Sequence, residues 1–204
     1  MSEPEPKDVI VEQNLDSIRA HVEAGNVPAT ARELLLIVAR AFLGIAEIGN
    51  SNRGYWIDKM ESALGIQGLA WCMAYVQYVF RLTSDLLKRP DLLPCESPST
   101  VKVFEWAKEK DLVVYLWSAT APGDIIIWRD GPKYQGHTGI IDSIDDSHMR
   151  TIEGNTSGGN MRDGGHVQLK TRGLGDFGQP GKPSSARYIA GFISLSKLME
   201  AFWT

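Results

Sequence analysis

The sequence predicts an α+β domain in which helices come first and an antiparallel sheet follows. In the first half, apolar residues recur at the 3.6-residue helical period. From Asp124 onward they form short runs and alternations bounded by glycine, asparagine, aspartate and serine, as strands do. Helices followed by strands fold as α+β, with the strands paired antiparallel. With 204 residues, 43% of them hydrophobic and 23% charged, the chain is long enough for one well-cored domain.

The first helix is read over Val9 to Ala24, after a mobile start, and ends at Gly25-Asn26. Pro28 and Thr30 open a second, whose Leu34, Leu35, Val38, Phe42 and Ile45 keep the helical period until Gly49-Asn50. A short helix follows from Tyr55 to Leu64 and stops at Gly65. The next begins at Cys72 and runs to about Leu87; apolar on nearly every side, it is the central buried helix. Ser97 or Ser99 caps a further helix carrying Val101, Phe104 and Trp106. Asp124 to Trp128 reads as a buried strand, and His137 to Ile144 with Met149 to Asn155 as a hairpin about Asp145-Asp146-Ser147. Val167 to Thr171 and Tyr188 to Leu195 complete the strands. Ser157 to Gly165 and Gly173 to Ser185 are glycine-rich loops, and the first, just after Asn155, is expected to act as a lid.

A net charge of -4 argues against general nucleic-acid binding. The late cations Lys170, Arg172, Lys182 and Arg187 read as solvated loop charges. Two cysteines make no disulfide scaffold; Cys95, in a proline-flanked loop, reads as incidental and unbridged. The start is acidic and proline-rich, with neither a basic segment nor an early apolar core, so synthesis in the cytoplasm without a signal peptide is expected. Arg40 and Glu47 interrupt the apolar stretch from Leu34 to Ile48, which makes it core and not a membrane span. His21, His148 and His166 are scattered with no cysteine pair nearby, and Asp142, Asp145 and Asp146 read as a polar turn. No metal and no cofactor are therefore expected.

The chemistry centres on Cys72. A thiol becomes a good nucleophile when positive potential favours its ionised form, and a helix N-terminus and a neighbouring imidazolium both supply it. Cys72 has the first, and His137, following Gly136, supplies the second. Side chains alternate faces along a strand, so Glu153 and Asn155 are expected to point the same way. One hairpin register opposes His137 to Glu153 across a five-residue loop, and the other opposes it to Asn155 across Asp145-Asp146-Ser147. Either puts a polar partner beside the imidazole, the third member that an activated nucleophile needs.

Trp71-Cys72-Met73-Ala74-Tyr75-Val76, Pro122-Gly123-Asp124-Ile125-Ile126, Gly136-His137-Thr138-Gly139-Ile140 and Ile152-Glu153-Gly154-Asn155-Thr156 resemble, in order and setting, the CHAP family of papain-like cysteine amidohydrolases and peptidases. Glu47-Ile48-Gly49-Asn50 is similar to the segment upstream of the cysteine in one bacterial and phage branch. The resemblance covers residues 35 to 194 and implies a papain-like fold, with N-terminal helices packed on a small antiparallel sheet. The implied domain spans 31–204, after an N-terminal helical extension over 1–30.

The resemblance further implies Cys72 as nucleophile, His137 as general base and then acid, and Glu153 as the residue orienting His137. Asn155 would assist that orientation or the oxyanion site, and the Cys72 backbone N–H would be one oxyanion donor. Trp71, Gly136 and Thr156 are the expected substrate contacts. Trp71 stands where many relatives carry Gln, which leaves the second oxyanion donor unassigned; the calcium-binding loop of some relatives is not evident.

The expected substrate is peptidoglycan, cut at the muramoyl–L-alanine amide or within the stem or bridge peptide. The expected enzyme is a monomer, acting as a phage lysin released through a holin or as a secreted antibacterial effector with a cognate immunity protein. An NlpC-type γ-D-glutamyl endopeptidase and a non-catalytic wall- or partner-binding module are the alternatives.

Overall fold

The computed structural model describes residues 3–203 apart from 27, 29, 50, 132–134, 157–164 and 177. The expected lid, Ser157 to Gly165, therefore lies almost entirely outside the described residues. Five helices precede the main strands: α1 (Pro6–Glu23), α2 (Ala31–Ala41), α3 (Tyr55–Ser62), α4 (Cys72–Leu86) and α5 (Thr100–Glu109). Thr30 and Glu33 close α2 with a reciprocal capping box, and the Ser99 hydroxyl caps α5. The second helix stops eight residues short of Gly49, because Gly44 takes a left-handed φ of 90° and turns the chain. Phe42 and Ile45 keep their buried positions in that turn.

The strands β1 (Val113–Val114), β2 (Ile125–Asp130), β3 (Gly136–Ile144), β4 (His148–Thr156), β5 (His166–Gly173) and β6 (Arg187–Ile193) form one antiparallel sheet in the order β1-β6-β2-β3-β4-β5. A last helix, α6 (Leu195–Phe202), was not expected. Its signal is Leu195, Leu198, Met199 and Phe202, recurring every three or four residues immediately after the last strand. Buried Asp124 anchors it, accepting a hydrogen bond from the Leu195 backbone N–H at 2.9 Å.

The main core lies between the helices and one sheet face, with Leu35, Phe42, Trp56, Tyr75, Val76 and Phe80 meeting Ile125, Ile140 and Ile152. Val11 and Leu15 bring α1 into it. Ile126, Trp128, Ile141, Met149, Ile189 and Phe192 form a second core on the other face, under Trp117 and Leu174. Among the described residues, no helix is long and apolar enough to cross a membrane.

Register shifts break the regularity of β4 against both of its neighbours, β3 and β5. The β3–β4 register shifts between Ile141 and Ser143, so that the chain turns tightly through Asp146-Ser147 instead of through either the three-residue or the five-residue loop expected. Asp145 holds that turn by accepting from the Ser147 and His148 backbone N–H groups, while Asp142 pairs with Arg40 at 2.7 Å. The second shift, a bulge between Glu153 and Thr156, carries Asn155 at a left-handed φ of 53°. Asparagine is one of the few non-glycine residues that adopt this conformation readily.

Candidate active site

Cys72 is the first residue of α4, at the helix N-terminus, where backbone N–H groups lack intrahelical partners. Two glycines let α4 and α5 approach the sheet. A methyl group on Gly154 would sit within 2.9 Å of Tyr75 and Trp71, so its absence allows α4 to lie directly on β4. A methyl on Gly136 would meet the Trp128 carbonyl at 2.5 Å and Thr100 at 2.7 Å. These approaches bring the thiol to His137, at the start of β3.

His137 is buried, with its Nε2 3.0 Å from Glu153 Oε2, and the Cys72 thiol is close enough to the ring to favour its charged form. The hairpin register pairs Ile140 with Ile152, so by count Gly139 lies beside Glu153 and His137 lies two residues further along its strand. The His137–Glu153 bond is therefore diagonal, not directly across the strands. It passes over Gly139, where a methyl would sit 2.8 Å from Glu153 Cγ.

Burial alone disfavours a charged His137 ring, but the bonds to Cys72 and Glu153 outweigh it and raise its pKa to about 9. Burial likewise works against an ionised Glu153, and His137 with Arg172 overcomes it, lowering its pKa to about 2. At neutral pH the pair is an imidazolium and a carboxylate. Trp128 stacks on the His137 ring at 5.6 Å between centroids and closes its side toward the second core. An open groove of about 280 Å³ runs past the thiol, lined by Leu69, Ala70, Cys72, Pro98, Ser99, Thr100, Gln135 and Gly136. Residues 65–155, which hold the cysteine, the histidine and the glutamate, match the family model described as CHAP domain.

This segment is a CHAP domain. The family is papain-like and comprises cysteine peptidases and amidases. Comparison with curated proteins and with solved structures finds no match to the chain.

Within the CHAP domain, not every expected site residue reaches the groove. Trp71, expected at the substrate, is fully buried; its indole packs under Gly154 and donates to Glu47 at 2.8 Å, so the side chain offers substrate no surface. Thr156, the second expected contact, is also buried, with its hydroxyl 3.4 Å from Glu153 Oε2. Gly136 does line the groove. Asn155 is half-buried in the bulge, and the bulge breaks the alternation that would align it with Glu153. The hydroxyl of Thr156 comes beside the carboxylate instead.

Other supporting residues were not anticipated. Arg172, expected as a solvated charge, grips both oxygens of Glu153 at 2.7–3.1 Å, and Thr151 donates to it at 2.6 Å. Strand alternation across β4 and β5 aligns Arg172 with Met149, Thr151 and Glu153; that pattern was the available signal. Glu61, fully buried, accepts the backbone N–H groups of Gly68 and Leu69, each at 2.7 Å, and shapes the loop entering α4. Among the described residues, no three His, Cys, Asp or Glu side chains gather where they could hold a metal ion.

Proposed function

We propose that the protein is a peptidoglycan hydrolase that cuts an amide bond through a covalent thioester on Cys72. The observation that carries this reading is the buried chain Cys72–His137–Glu153 beside an open groove in a CHAP domain. In this mechanism the Cys72 thiolate attacks the amide carbon and the carbon–sulfur bond forms. The carbonyl oxygen takes up the negative charge, opposite the Cys72 backbone N–H at the start of α4. The carbon–nitrogen bond then breaks as His137 gives its proton to the departing amine. Neutral His137 next takes a proton from water; the hydroxide attacks the thioester and frees the thiolate.

The groove's described wall is apolar at Leu69, Ala70 and Pro98 and polar but uncharged at Ser99, Thr100 and Gln135. Such a wall suits a short peptide with small side chains, as in the stem of peptidoglycan. We read the enzyme as a monomer that reaches the wall either as a holin-released phage lysin or as an injected effector. In the second case an immunity protein would fill the groove.

The test is digestion of purified peptidoglycan by the wild type and by Cys72→Ala, with mass spectrometry of the released fragments. Release by the wild type alone is expected. The fragment masses then name the bond: muramoyl–L-alanine, stem or bridge peptide, or the γ-D-glutamyl bond of an NlpC-type enzyme. Equal release by both proteins refutes the cysteine mechanism, and no release by either from several wall chemotypes refutes the substrate.

A further inference from the structure

Glu153 is fully buried and accepts hydrogen bonds from two sides. On one side is His137, at 3.0 Å from Oε2. On the other, Arg172 Nε and Nη2 reach Oε1 at 3.1 and 2.9 Å, and Nη2 reaches Oε2 at 2.7 Å. The guanidinium also lies 5.5 Å from the Trp128 ring centre, and that ring stacks on His137. Arg172 thus touches both of the groups that hold the imidazole. It lies on β5, beyond the segment that matches the CHAP domain model.

The charges explain what this contact does. His137 from β3, Glu153 from β4 and Arg172 from β5 are imidazolium, carboxylate and guanidinium, with the one anion held between two cations. When His137 gives its proton to the departing amine it becomes neutral, and Glu153 would then be a buried anion without a cation. Burying such an anion unpaired costs several kcal/mol. Without another cation, the carboxylate would hold the proton on His137 and oppose the transfer.

We propose that Arg172 is a positioning residue that clamps Glu153, keeping the carboxylate fixed and ionised while His137 gives its proton to the leaving amine and takes one from water. The proposal rests on the cysteine mechanism for its consequence in turnover, but the clamp itself is testable without turnover.

The test compares Arg172→Gln and Arg172→Lys with the wild type in two readouts: fragment release from purified peptidoglycan, and the NMR titration of His137 in protein carrying ¹³C-labelled histidine. Arg172→Gln removes a cation from the far side of Glu153. The His137 midpoint should rise by roughly one pH unit, the scale of a charge lost at close range. Release should fall roughly tenfold to a hundredfold, part of what a positioned general acid contributes. Arg172→Lys keeps the charge but loses the two-pronged grip; its midpoint should stay near the wild type while release falls less than in Arg172→Gln. A wild-type midpoint in Arg172→Gln overturns the clamp. If that variant does not fold, Arg172→Lys decides, because full wild-type release there shows that the bidentate grip has no role. Failure of the cysteine mechanism would appear separately, as equal release by Cys72→Ala with the His137 titration still responding to Arg172.

Discussion

The diagonal bond from His137 to Glu153 depends on the missing side chain at Gly139, and Gly139→Ala tests that dependence. The backbone there is not in the left-handed region, so alanine meets no conformational barrier. Chain entropy alone would make alanine in a strand the more stable choice by about 0.5–1 kcal/mol. Sterics act in the opposite direction. The added methyl would lie 2.8 Å from Glu153 Cγ and 3.0 Å from the Ile152 carbonyl oxygen. Carbon atoms pack best about 3.5–4.0 Å apart, so the methyl intrudes by roughly 0.7 Å. Overpacking of this kind costs about 1–3 kcal/mol. The steric term wins, and the variant should be less stable than the wild type by about 1–2 kcal/mol.

Activity should fall further than stability, because Glu153 is the atom group that must move. A shift approaching 1 Å in a catalytic constellation costs about a hundredfold, so peptidoglycan release should drop by roughly ten- to a hundredfold in protein that remains folded. Urea unfolding monitored by tryptophan fluorescence measures the first quantity, and fragment release at a temperature where both proteins are folded measures the second. A Gly139→Ala protein that is more stable than the wild type and equally active would refute the diagonal geometry.

Three further outcomes are expected. The stability of the folded protein should plateau between about pH 4.5 and 6.5 and fall on both sides. Glu153 is held below its usual range, so its contribution is lost as pH falls toward about 2; His137 is held above its usual value, so its contribution is lost as pH rises through about 9. Thermal unfolding across pH checks this, with Glu153→Gln flattening the acid arm and His137→Asn the alkaline one. Burial pushes the Cys95 thiol up, so iodoacetamide at neutral pH should label Cys72 well before Cys95. Peptide mapping would show the order, and preferential labelling of Cys95 would count against an activated Cys72. Glu61→Ala orphans two backbone N–H groups and should destabilise the protein by about 2–4 kcal/mol while slowing Cys72 labelling; a stable variant with unchanged labelling would detach that loop from the site.

The site's main axis was legible because it lies on regular elements. The period of α4 put Cys72 at a helix start, and the hairpin pattern brought His137 beside the strand that carries Glu153. What escaped are features that local pattern does not encode. A bulge inserts one residue without changing composition, so the alternation rule carries Asn155 onto the face of Glu153 and leaves Thr156 to the substrate, whereas its hydroxyl lies beside the carboxylate. Trp71 read as a groove residue because a tryptophan next to a nucleophile is ambiguous by type. Only the close approach at Gly154 shows that it is wedged between helix and sheet. Arg172 read as a solvated charge because its partner is a buried carboxylate contributed by the neighbouring strand. Leu195 reads as the end of a strand but begins a helix, since an apolar residue at the junction fits either period.

The contact of α4 with β4 at Gly154 also bears on when the protein becomes reactive. Cys72 arrives on a helix from the first half of the chain, and its partners arrive on strands from the second. Neither half carries the thiol–imidazole pair alone. The helix can be fully formed and Cys72 still be an ordinary thiol until the sheet has assembled and the glycine surface is available for docking. In the mechanism proposed above, reactivity is gained only with the long-range contacts that limit folding speed, so an unfolded chain would carry Cys72 as an ordinary thiol.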